Sequence, residues 1–136
     1  HLVLSSNNAL DAVYARMMYD PDLRAMPWQN THVWLLHHEE DELVHETIIS
    51  HSGIPEEQVH LCCVETLIQE DPKVRLDCCM VELDDVESLS VATCNQCSVL
   101  LVLAKDRDKL ATLNAWSQQL EVYWFTKTID LHPENP

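Results

Sequence analysis

The chain has 136 residues, 46% of them hydrophobic, with 8 Lys+Arg against 23 Asp+Glu and a formal net charge of −15. Such a length holds one domain with a single two- or three-layer core, and the apolar share argues against disorder. The charge repels nucleic acid, anionic membranes and phosphorylated metabolites, and its natural complement is a protein partner with a basic surface. The only glycine, Gly53, cannot by itself build a phosphate-wrapping loop, and no apolar run approaches the ~20 residues of a membrane helix. No signal peptide is recognisable, and the opening His1 followed at once by a strand-like segment reads as a piece of a longer polypeptide.

Leu2-Val3-Leu4 reads as a short strand, and Ser5-Ser6-Asn7-Asn8 as its turn into a helix that any of these polar residues could cap. Leu10, Val13, Tyr14, Met17 and Met18 recur at three- and four-residue spacing, so an amphipathic helix runs from Ala9 to just before Asp20-Pro21. Pro27-Trp28 then leads to an apolar run, Val33 to Leu36, that turns abruptly polar at His37, His38, Glu39 and Glu40. This pattern is that of a buried parallel strand whose carboxyl end opens into a loop, the edge where open α/β sheets bind ligands. A second helix is predicted over Asp41 to Ser52, with Leu43, Val44, Thr47, Ile48 and His51 on one face and Gly53 as its C-cap.

Ile54 to Leu61 reads as a turn and short strand, and Val64 to Gln69 as a short helix or turn before the acidic Glu70-Asp71-Pro72. Val74 to Leu83 forms a core strand, with Asp77 near its start. Ser98 to Ala104 is the clearest strand, apolar on both faces. Lys105-Asp106-Arg107-Asp108 opens a helix with Leu110 and Leu113 inward, ending near Trp116. Leu120 to Thr126 is aromatic and β-prone, which gives a last strand, and residues 131–136 form a loose tail after a domain spanning 1–130.

Four of these segments resemble the 6-phosphogluconolactonase / glucosamine-6-phosphate isomerase-like family, nearest to the lactonase domain fused to hexose-6-phosphate dehydrogenase in the endoplasmic reticulum. Pro27-Trp28 with Thr31-His32-Val33-Trp34-Leu35-Leu36 resembles the strand that ends in Asp-Glu-Arg; counted from Trp34, that triplet falls on His37, His38 and Glu39. Ile54-Pro55 to His60 resembles Ile-Pro-x-x-Asn-Ile-His, Val74 to Leu83 resembles Phe-Asp-Leu-Val-Leu-Leu-Gly-Met, and the Leu120 segment resembles Gln-Leu-Val-Trp-Tyr-Met-Asp. The resemblance implies a three-layer α/β/α domain with a mostly parallel, Rossmann-like sheet.

It also implies a site that this chain has lost. The family holds the substrate phosphate on the main chain of Ser-Gly-Gly-Ser/Thr after the first strand; here Ser5, Ser6 and Asn7 stand there, with side-chain bulk in place of glycine. The family's Arg is replaced by Glu39, beside Glu40 and Asp41. The catalytic Gly-x-Gly-x-Asp-Gly-His-x-x-Ser is replaced by Glu82-Leu83-Asp84-Asp85-Val86-Glu87-Ser88-Leu89, without glycine or histidine. Several tens of residues around that loop are deleted or left out of this chain. Asp84 and Asp85 are what remains near the acid/base position.

Other candidate chemistry is weaker. His37, His38 and Glu39 with His32 and His45 have the composition of a metal cluster, but adjacent His37 and His38 point to opposite sides of a strand, so a solvated loop is the favoured reading and no metal is expected. Cys94-Asn95-Gln96-Cys97 has the spacing of a zinc or redox pair without a second pair, and reads as structural. Cys62-Cys63 and Cys78-Cys79 lie in apolar runs, so reduced, buried thiols are expected rather than an extracellular disulfide framework. Asp84, Asp85 and Glu87 could pair as acid and base or simply form a solvated turn, and Tyr19, Trp28 and Trp116 could anchor a partner or fill a core or edge.

The expected protein is therefore a pseudoenzyme, a lactonase-like domain kept as an interaction or assembly module with no cofactor, placed in the cytoplasm, with the endoplasmic reticulum lumen as the alternative. The competing expectation is a retained sugar-phosphate or metabolite pocket, serving as a sensor or as a hydrolase of altered specificity.

Overall fold

Leu2, Val3 and Leu4 form a strand with all three side chains buried, β1 (Leu2–Leu4), and every other strand is placed relative to it. The computed structural model describes residues 1–36, 42–61, 64–104, 107–109, 111, 112, 115 and 118. Within them β2 (Val33–Leu35), β3 (Val59–His60), β4 (Leu76–Glu82) and β5 (Cys97–Leu103) join β1 in one sheet of order β3-β2-β1-β4-β5, and each pairing is parallel. The expected α/β fold is thus present. A parallel strand buried on both faces must be apolar throughout, which is why β1 and β2 read so clearly as uninterrupted runs.

Alternation along the strands feeds two cores. Leu2, Leu4, Val33 and Leu35 pack on one face against Leu10, Tyr14, Met17, Met18, Trp28, Val44, Ile48 and Ile54. Val3, Trp34, Cys79 and Val81 pack on the other against Val64, Leu67, Ile68, Leu89 and Cys94. The first face is covered by a 3₁₀ turn at Asn8–Leu10, α1 (Asp11–Tyr19) and the segment of α3 (Glu42–Val44), a π-helical stretch His45–Ile49 and α4 (Ser50–Ser52). The second face carries α5 (Val64–Glu70) and α6 (Val91–Gln96).

Local chemistry sets the ends of these elements. Asn7 caps the first turn, its side-chain oxygen accepting from the Ala9 N–H at 3.0 Å. Asp20 ends α1 and caps the short α2 (Pro21–Arg24), a helix not foreseen from the sequence; its Pro21 stands in the first turn, where a missing N–H costs nothing. Gly53 closes α4 with φ 73°, the left-handed cap expected there. Ser90 caps α6 through the Thr93 N–H.

Some expectations shift. The predicted 41–52 helix is real over 42–52, but its middle is π-helical, and His51 is exposed, with Nδ1 2.9 Å from the Thr47 carbonyl, rather than turned to the core. Trp28 fills the first core, as the core reading of that residue has it, whereas Tyr19 is 82% exposed and does not. β5 is apolar on both faces as read, yet Val99 and Leu101 are 54% and 43% exposed, because α1 and the π-helical stretch cover the first face over the β1 and β2 side of the sheet. Asp41, Cys62, Cys63, Leu110, Leu113, Trp116, residues 120–126 and the tail lie outside the described residues.

The order of the strands fixes where a site can form. After β3 the chain returns past β2 and β1 to pair β4 on the far side of β1, and it changes face as it does so. Connections from β1 and β4 therefore leave in opposite directions, which opens a crevice at their carboxyl ends, the topological switch point of such sheets.

Candidate functional site

Ser5 is the first residue beyond β1, and its N–H still continues the ladder to the Met80 carbonyl at 3.1 Å. Its buried hydroxyl donates to Asp85 Oδ2 at 2.7 Å, across the switch point. That hydroxyl oxygen in turn accepts from the Asn7 N–H at 3.1 Å, and the Ala9 N–H goes to Asn7 Oδ1. Ser6 Oγ lies 3.5 Å from the Val44 N–H, at the last residue of α3. The Tyr14 hydroxyl, fully buried, donates to the Ser5 carbonyl. Burial pushes that phenol well above its usual range, with the nearby Cys79 and Asp85 adding in the same direction, so Tyr14 is a fixed hydrogen-bond donor and no proton shuttle.

The other wall comes from the end of β4 and the 3₁₀ stretch Leu83–Ser88. Glu82 is a carboxylate with no exposed surface; its Oε2 accepts from the Asp84 N–H at 2.7 Å, while Oε1 has no hydrogen-bond partner among the described residues. Asp84, more exposed, holds Lys109 Nζ at 2.7 Å from its Oδ1. Glu82, Asp84 and Asp85 thus put three carboxylates within four residues at the end of β4, with Lys109 against one of them.

The structure brings Ser5 and Asn7 together with Asp85, whereas Ser6 turns to Val44 and Asp84 to Lys109. Glu39, His37 and His38 lie outside the described residues, so the Arg-to-Glu position has no structural account. His45 sits in the π-helical stretch and His32 precedes β2 on the amino side of the sheet, so these two histidines belong to no common cluster with each other. Among the described residues no three His, Cys, Asp or Glu side chains are placed to hold a metal ion.

Three features escaped the sequence. Glu82 read as the polar end of a strand and not as a buried charge. Lys109 lay too far along the chain to be connected with Asp84. On the amino side, His1, His32, His60 and Trp34 form a row of rings in mutual contact. The pairing of His-Val-Trp with Val-His across two predicted strands was the available signal, but it needs the register to be known.

The four described cysteines carry free thiols. Burial pushes Cys78 up to about 11 and Cys94 up to about 12, and Cys79 rises because its S–H is donated to Cys97, which is lowered by the same bond. Three of them, Cys79, Cys94 and Cys97, are buried in the second core and pack there as small hydrophobes.

No family model, curated protein or solved structure matches the chain. No described helix is long and apolar enough to cross a membrane.

Proposed function

We propose that the chain is a degenerate member of the 6-phosphogluconolactonase-like group, catalytically inactive, and that it serves a larger protein as an interaction or assembly module for partners with a basic surface. The observation that carries this reading is the closure of the turn after β1 on itself. The Ser5 hydroxyl is bound to the Asp85 carboxylate, and the Asn7 and Ala9 N–H groups are taken by side-chain oxygens of the same turn. A phosphate arriving there would have to displace a carboxylate already in hydrogen-bond contact and sit beside Glu82 and Asp84. The net charge of −15 supports the same conclusion and favours a basic partner surface. The free thiols favour a reducing, cytoplasmic setting over the endoplasmic reticulum lumen.

The test is direct. Incubated with 6-phosphogluconolactone, the protein is expected to give no hydrolysis above buffer, and 6-phosphogluconate is expected to leave its melting temperature unchanged. Hydrolysis above buffer that disappears in Asp85→Asn overturns the proposal.

One observation favours the competing reading of a metabolite pocket, namely Lys109 Nζ beside Asp84 at the mouth of the crevice. A thermal-shift screen of sugar phosphates separates the two readings, since a ligand at ~100 times its dissociation constant stabilises by ~2.7 kcal/mol. A shift of that size, lost in Lys109→Ala, selects the pocket.

A further inference from the structure

We propose that His1, His32, His60 and Trp34 form an acid-sensitive clasp that holds the edge strand β3 to the sheet and releases it when the pH falls. The proposal is independent of the lactonase reading, since these residues lie away from the switch point.

Such a device suits β3 because its main-chain hold is short. It is two residues long and, among the described residues, pairs with β2 alone, through Val33↔Val59 and Trp34↔His60. The preceding Gln58 side chain donates to the Trp28 carbonyl at 3.3 Å and to the Thr31 carbonyl. On the first face Val59 packs against the core that buries Ile54, and on the other the hold is made by rings. His32 Nδ1 and His60 Nε2 are 2.8 Å apart, with ring centroids at 5.1 Å and planes inclined by 13°. That centroid spacing is close to the N···N distance plus the two ring radii, so the rings meet edge to edge along an N–H···N bond and are not laid face on face. His60 is laid face on face on Trp34, with centroids 4.0 Å apart and planes 15° from parallel. Trp34 Nε1–H donates to His1 Nδ1 at 3.0 Å, and the His1 ring is 5.2 Å from that of His32, which closes the circuit.

Proton counting makes the circuit acid-sensitive. The His32–His60 contact needs one N–H and one bare nitrogen, so the pair tolerates a single added proton and not two. The Trp34 bond needs a bare Nδ1 on His1, and an imidazolium there leaves the indole N–H of a buried tryptophan without its acceptor. Each further proton also sets cationic rings against one another. The groups that face His60 among the described residues are few. His32, just before β2, lies against it; His1 lies beyond on the β1 side, and the Asp77 carboxylate of β4 sits 2.6 Å from the main-chain nitrogen of His1. Consistent with this geometry, His60 is pulled below the ordinary imidazole value of 6.5, first by burial and next by His32. A histidine depressed in the closed state binds protons more readily once released. Closure is therefore complete above 6.5 and weakens as the pH drops below it.

Hydrogen exchange read by mass spectrometry at about pH 7.5 and about pH 5.5, corrected for intrinsic exchange, tests the clasp. Peptides covering 54–61 are expected to lose about tenfold in protection at the lower pH while peptides from β4 do not change. In His60→Gln and in His32→Gln, whose replacements do not titrate, the pH dependence of that segment is expected to shrink to what His1 contributes through Trp34. Equal protection at both pH values in the unaltered protein overturns the proposal, as does a pH-dependent loss that is undiminished in both variants. Should neither variant fold, imidazole proton resonances of the unaltered protein decide it: His60 is expected to titrate below 6.5, and titration of His60 at the ordinary value overturns the clasp.

Discussion

At the carboxyl rim of the sheet Ser5 meets Asp85 across 80 residues of sequence, whereas on the amino side His32 meets His60 across 28. Both contacts are short and both join polar groups on neighbouring parts of one sheet, but they are built differently. The carboxyl rim is made by turns that follow β1 and β4, and its groups engage main-chain N–H as well as each other. The amino side is made by side chains on or next to the strands, which meet only because β1, β2 and β3 are in register. The first arrangement fixes a backbone. The second fixes side chains alone, and protons compete for it directly. The carboxyl rim should therefore respond to mutation and the amino side to pH.

The largest test of that contrast is Tyr14, which lies under the carboxyl rim. Tyr14→Ala removes a fully buried ring from the first core and leaves the Ser5 carbonyl without its donor, and it is expected to cost about 3–5 kcal/mol in urea unfolding. Tyr14→Phe keeps the ring and loses only the hydroxyl, so a cost of about 1–2 kcal/mol is expected. Equal losses in the two variants would mean that the hydrogen bond, not the ring, supports the turn.

The residues behind this contrast were unequally legible in the sequence. β1, β2 and β4 could be read because strands buried in a parallel sheet are forced to be apolar, β5 because it is an uninterrupted apolar run although half-exposed, and Gly53 because a left-handed cap selects glycine. The turn residues Ser5, Ser6 and Asn7 and the pair Asp84 and Asp85 were picked out one segment at a time. Their meeting was not legible, since it follows from the strand order β3-β2-β1-β4-β5, which no local pattern encodes. The π-helical stretch His45–Ile49 escaped because apolar spacing over so short a segment fits either helix type. The His1, His32, His60 and Trp34 row escaped for a different reason: each histidine stands at a strand end, where a polar residue is ordinary, and only the register puts the rings in contact.

A middle-sized effect is expected at Glu82. Its carboxylate is fully buried, with one oxygen serving the Asp84 N–H and the other unpartnered among the described residues. Glu82→Gln keeps an acceptor for Asp84 and removes the charge, so a gain of about 1 kcal/mol in urea unfolding at neutral pH is expected. A loss of similar size would place a cationic or donor group against Oε1 and make the carboxyl rim more demanding than the turn geometry implies.

The smallest expected effect belongs to Lys109. Its ion pair with Asp84 is short at 2.7 Å, but the two side chains are 37% and 60% exposed, so solvent screens the attraction and both chains lose freedom in holding it. Lys109→Ala is expected to change stability by no more than about 0.5 kcal/mol, and less still in high salt. It nevertheless sharpens the contrast between the rims. Removing this cation raises the negative potential at the crevice while leaving Ser5 and Asp85 in contact, so the variant should bind a basic protein partner more tightly at low ionic strength and lose that gain as salt is added. A variant that instead lost affinity for such a partner would put Lys109 in the contact surface and move the interaction to the crevice mouth.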